Sequence, residues 1–170
     1  MVVHDVAGGP WLGRCGTLRR VMRHDLVLRL VEHIGDQLFE MARRWLDGEE
    51  PEQDIRAALE GVAAVYMRHG PLLQALVDGV PSDARVESAY RTLVQSFIDA
   101  TAEHIRSEQA AGRIFLTADP YETARALVWL NERYLSEAFG RQPADDPLPV
   151  IGVLHHIWLA TLYASADRTR

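Results

Sequence analysis

The chain has 170 residues, 48% of them hydrophobic, a single cysteine and a formal net charge of -6. This length suits one domain with enough apolar side chains for a sizeable core. Cys15 on its own excludes an internal disulfide and a thiolate zinc cluster, and the acidic balance lacks the basic footprint of a nucleic-acid binder. No apolar run reaches the roughly 18 to 20 residues that span a bilayer, and glycines interrupt any signal-peptide core near the N-terminus. A cytoplasmic protein without membrane association is expected.

Residues 1–22 are rich in glycine and show neither helical nor strand periodicity, so they are read as an irregular N-terminal segment. From about Arg23 the pattern changes. Leu26, Leu30, Ile34, Leu38, Met41 and Trp45 recur at steps of three or four and predict a long helix, ended at Asp47-Gly48 by a left-handed glycine cap. Pro51 opens a second helix, with Glu52 and Asp54 at its positive end and Ile55, Leu59, Val62 and Tyr66 on its buried face. His69-Gly70 is expected to stop it, and Pro71 to begin a short third helix. Ser82 caps a fourth, which carries Tyr90, Leu93, Phe97, Thr101 and His104 and ends at Gly112. Asp119-Pro120 reads as N-cap plus first residue of a fifth helix, running to about Phe139. Asp145, Asp146, Pro147 and Pro149 read as a polar loop before a last helix over about 150–164. No segment alternates as a strand would. The expectation is an all-α fold of about six helices, with residues 23–170 forming one domain.

The last helix departs from the one-stripe pattern of a surface helix. Val150, Ile151, Val153, Leu154, Ile157, Trp158, Leu159, Leu162 and Tyr163 cover most of its circumference, so it must be buried on two sides. One side faces its own domain. The other needs a second subunit, unless the helix is simply central in a monomeric bundle. Each exposed leucine or isoleucine forgoes about 1.5 to 3 kcal/mol of burial. The fifth helix offers a companion face, so a symmetric four-helix contact between two copies is expected, built on Leu127, Leu135, Ala138, Val150, Leu154 and Ile157.

The stretch Leu127 to Phe139, with its Asn131-Glu132-Arg133 triplet, and the segment His156-Ile157-Trp158 resemble the C-terminal half of TetR-family repressors, most nearly the ethionamide-resistance-repressor subgroup. The resemblance covers about residues 23–163. It implies a regulatory domain whose last two helices make a homodimer, and whose fourth helix lines an apolar channel for a lipophilic small-molecule effector. The positions matching that lining are Ile55, Val62, Phe97, Thr101, Asn131 and Trp158. Val128 stands where the subgroup tends to carry a second asparagine, which makes the channel less polar. The residues before His24 do not resemble a recognition helix. DNA binding is therefore expected only if a helix-turn-helix is supplied upstream or by a partner, and truncation, a frame shift or a late-assigned start is the expectation for this chain.

Other constellations are weaker. His155-His156 are adjacent, point about 100° apart and cannot share one ion within a chain, which leaves packing or a metal held across a dimer axis. No nucleophile elbow, P-loop or dinucleotide fingerprint occurs, so neither an enzyme nor a cofactor is expected. Trp129 and Trp158 suit either core filling or channel lining, and Asn131 suits either a ligand contact or a structural hydrogen bond. A ligand-sensing, dimerising regulator domain is the leading reading. A stand-alone protein that binds lipophilic molecules or heterodimerises with intact relatives is the alternative.

Overall fold

The computed structural model describes residues 12–77, 84–115, 117–141 and 143–164, with side chains from residue 25 onward. Among them lie five helices and no strand: α1 (Leu12–Leu46), α2 (Pro51–Val77), α3 (Ala84–Ala110), α4 (Pro120–Phe139) and α5 (Pro147–Leu162). α2 is central and packs against α1, α4 and α5, while α3 closes the opposite side against α1 and α4. Ile34, Ile55, Ile105, Leu135, Phe139 and Leu154 are among its most fully buried side chains.

Several helix ends follow from local chemistry. Gly112 takes φ +71°; the Arg113 N–H donates to the Glu108 carbonyl and the Gly112 N–H to that of Gln109. This pair of bonds is the Schellman closure, which a left-handed glycine permits. The Arg113 guanidinium also pairs with the Glu108 carboxylate, fixing the turn from outside. At the start of α4 the Asp119 side chain accepts from the Glu122 N–H at 2.9 Å, with Pro120 just inside the helix.

Four boundaries differ from expectation. α1 begins at Leu12, so helical backbone runs through the stretch expected to be irregular up to residue 22; residues 1–11 lie outside the described residues. The second and third expected helices are one, and Pro71 sits inside α2. Gly70 does not terminate anything: a Cβ there would stand 2.1 Å from the Phe139 carbonyl oxygen, so glycine is required for the close approach of α4's C-terminus. Nor does Gly48 supply a left-handed cap, since Gly112 alone among the described glycines has positive φ. Gly48 instead leaves room for the Asp54 carboxylate, which accepts the Glu50 N–H at 2.7 Å and caps α2. Finally, α5 starts at Pro147 rather than near 150. Asp146 accepts from Leu148 N–H, repeating the Asp-Pro start of α4, and Pro149 falls in a first turn whose N–H groups lack helical partners anyway. The Ser82 cap lies outside the described residues.

Candidate functional site

All five helices contribute to one apolar cavity. α1 supplies Leu38 and Trp45, α2 Ile55, Val62 and Tyr66, α3 Tyr90 through Thr101, α4 Val128 through Leu135, and α5 Trp158. Space for the centre of a water-sized sphere is about 110 Å³. Apolar cavities of about 150 Å³ in other proteins stay dry and admit a benzene ring. The present cavity is thus small, and it is half-open rather than sealed.

Ile55, Val62, Phe97, Thr101, Asn131 and Trp158, drawn from four separate helices, all stand on this wall. Phe97 stacks on Phe39 of α1, with ring centroids 4.0 Å apart. The Trp158 indole N–H donates to the Asn131 side-chain oxygen at 3.0 Å, while its ring meets Trp45 edge-on at 5.1 Å. Trp45 in turn donates to the Tyr163 hydroxyl and sits against His104. Asn131 therefore joins α4 to α5 through its oxygen. Its NH₂ is a further donor carried by a residue of the cavity wall.

One polar group on the wall was not singled out from the sequence. Glu132 is 6% exposed and accepts a hydrogen bond from the Tyr90 hydroxyl of α3. Tyr66 and Ser136 adjoin it. Burial raises its carboxyl above the usual carboxylate range, against the lowering effects of Tyr90 and Arg133. Burial likewise raises the hydroxyls of Tyr66 and Tyr90, so both stay neutral. A signal was present: residues 124, 127, 128, 131, 132, 135 and 138 form one helical stripe, and Glu132 is its only charge. A carboxylate on a core stripe is a reason to look for a partner.

Most of the residues expected at a dimer contact are buried within the single chain. Leu127, Leu135, Ala138, Val150 and Leu154 are each no more than 4% exposed within a single chain, and only Ile157 is partly open. They are core residues. The outward face of α4 carries Ala126, Trp129, Leu130 and Tyr134, and that of α5 carries Pro149, Val153, His156 and Ala160. Trp129 is 43% and Val153 49% exposed, so Trp129 neither fills the core nor lines the cavity. His155 is turned inward, its Nε2 donating to the Glu52 carbonyl at 2.8 Å, while His156 is exposed.

Residues 55–164 match the family model described as "Transcriptional regulator EthR, C-terminal domain". The chain is 28% identical over 117 residues to the HTH-type transcriptional regulator EthR of Mycolicibacterium smegmatis, a match covering 68% of this chain and 54% of that protein. It is 34% identical over 83 residues to the protein of the same name from Mycobacterium tuberculosis H37Rv, covering 48% of this chain and 38% of that protein. The chain thus spans about half the length of the first of these relatives and less of the second.

Proposed function

The chain belongs to the family of EthR-type regulator C-terminal domains, and from that premise we propose that it is the effector-binding, self-associating part of a transcriptional regulator. The apolar cavity to which every described helix contributes carries this reading. A lipophilic small molecule is the ligand class that suits such a wall, with Asn131 as a polar anchor. The function is regulatory rather than enzymatic. The relatives are named as HTH-type regulators, so DNA contact is assigned to a helix-turn-helix supplied upstream of α1 or by a partner.

The mechanism is a shift of population between two helix arrangements. A ligand longer than the unliganded cavity must displace a wall helix. α1 is the helix whose displacement is felt furthest, because Leu38 and Trp45 line the cavity while its N-terminal turns run on to Leu12. Tilting α1 would change the spacing of heads attached to it in a dimer. The dimer contact is assigned to the outward faces of α4 and α5, in place of the buried residues expected from sequence. No described helix is long and apolar enough to cross a membrane.

Binding of a medium-chain alkyl probe, followed by tryptophan fluorescence and by thermal shift, tests the sensing role. Trp45 and Trp158 both line the cavity, so saturable quenching together with a raised unfolding midpoint is expected. Absence of both for neutral, cationic and anionic probes alike would defeat the proposal.

A further inference from the structure

The six channel positions expected from the resemblance contain no charge, yet the cavity they line has one. Among the described residues, Glu132 is the single acidic or basic side chain on the wall. It faces Tyr90 from α3 and Tyr66 from α2, with Ser136 one turn further along α4. Both phenols are neutral, and the neighbouring Arg133 is spent on the outer surface, paired with Glu137. Among the described residues no cation forms an ion pair with Glu132. A carboxyl in such a place is either kept protonated or needs a cation brought to it, because an unpaired charge away from water is strongly disfavoured. Burial shifts this carboxyl in the direction of the first state.

The cavity also has a direction. Tyr90, Leu93, Phe97 and Thr101 follow one face of α3, a run of about 16 Å at 1.5 Å per residue. The carboxyl lies at the Tyr90 end of that face. On α4, Asn131 turns instead to Trp158, so its amide and the Glu132 carboxyl mark different flanks. From Leu93 to Phe97 the wall is wholly apolar.

We propose that the cavity selects elongated lipophilic amines, whose ammonium head pairs with the Glu132 carboxylate while the hydrocarbon tail lies along α3 toward Thr101. This rests on the reading of the cavity as an effector site and adds the chemical class of the effector. An amine arriving as free base takes the carboxyl proton and leaves ammonium beside carboxylate. One arriving already protonated sends that proton to water. The Tyr90 hydroxyl goes on donating to the carboxylate in both cases, so the head meets an acceptor that is already oriented. A fatty acid would place a second carboxyl against Glu132 and is disfavoured. A fatty alcohol gains the tail contacts alone.

The test uses the full chain and three probes of equal tail length, decylamine, 1-decanol and decanoate, each below its aggregation threshold, with affinity read by tryptophan quenching at neutral pH. Decylamine is expected to bind at least tenfold more tightly than decanol, a preference of about 1.4 kcal/mol, and decanoate most weakly. In Glu132→Gln the amine and alcohol should bind within about twofold of each other, with the alcohol's own affinity unchanged. Equal affinities in the parent, a preference for decanoate, or an amine preference that survives Glu132→Gln overturns the amine assignment and leaves the effector site standing. Failure of all three probes to bind the parent overturns the effector site itself. If Glu132→Gln does not fold, Tyr90→Phe serves: losing the hydroxyl that orients the carboxylate and favours its ionised form should weaken the amine preference, and an unchanged or stronger preference counts against the proposal.

Discussion

At the scale of single residues, the two most consequential side chains are a carboxyl and a missing methyl. Glu132 has its folded-state range raised by burial, so the folded chain holds its proton more tightly than the unfolded chain does. The stability this contributes is fully present below the unfolded carboxylate range. It is lost as pH rises through the raised folded value. Glu132→Gln keeps an acceptor for Tyr90 and cannot ionise. Its advantage in urea midpoint over the parent should therefore widen from acid to neutral pH, and an advantage independent of pH would contradict the buried-carboxyl account. Gly70 is the second case. A Cβ there meets the backbone of Phe139, not a side chain that could swing away. Gly70→Ala should cost about 1 to 3 kcal/mol in urea denaturation, although alanine is the better helix former.

These residues also show what the sequence could and could not convey. The Asp119-Pro120 start and the Gly112 stop were legible because each depends on chemistry within a few residues. Gly70-Pro71 misled for the complementary reason. In sequence it is a helix break, but in space the glycine answers to α4, an element far along the chain. Gly48 likewise answers to the Asp54 side chain rather than to its own φ.

Among the elements, α5 carries the main lesson. Its apolar circumference implied two buried sides; the single chain buries one and leaves the other exposed, and hydrophobicity alone could not say which side faces inward. Leu154 and Leu162 went to the chain's own core, each 1% exposed, whereas Leu148 in the first turn is 74% exposed. The outer side was left with Pro149, Val153, His156 and Ala160, and nothing lies within 4 Å of where a Gly152 Cβ would be. Small and mixed residues of this kind let two helices approach closely. The proposed self-association therefore predicts opposite results for neighbouring substitutions. Val153→Glu changes an exposed position and should leave a folded chain that elutes as a monomer in size-exclusion with light scattering. Leu154→Glu buries an unpaired charge and should unfold the chain rather than merely separate two copies. A Val153→Glu chain that still runs as a dimer removes the α4–α5 assignment, and a folded monomeric Leu154→Glu chain restores the earlier one.

For the whole molecule, the six residues expected to line a channel converge from α2, α3, α4 and α5 because these helices, with α1, surround a volume that no side chain fills. The resemblance carried their positions, whereas the dimensions and the charge of the space depend on side-chain packing that no periodicity encodes. If the void exists for a ligand, the unliganded chain bears a stability cost for keeping it empty, since wall atoms lack dispersion partners there. Val62→Phe places a ring into the space from the half-buried middle of α2. Filling a true cavity commonly adds about 0.5 to 2 kcal/mol, so the variant should melt higher than the parent without any probe. It should also lose the further rise that alkyl probes give the parent, because ring and ligand compete for one volume. The pairing of outcomes separates the ideas cleanly. Higher stability with an intact probe response places the ligand elsewhere, and lower stability means the wall is already packed and has no room to receive one.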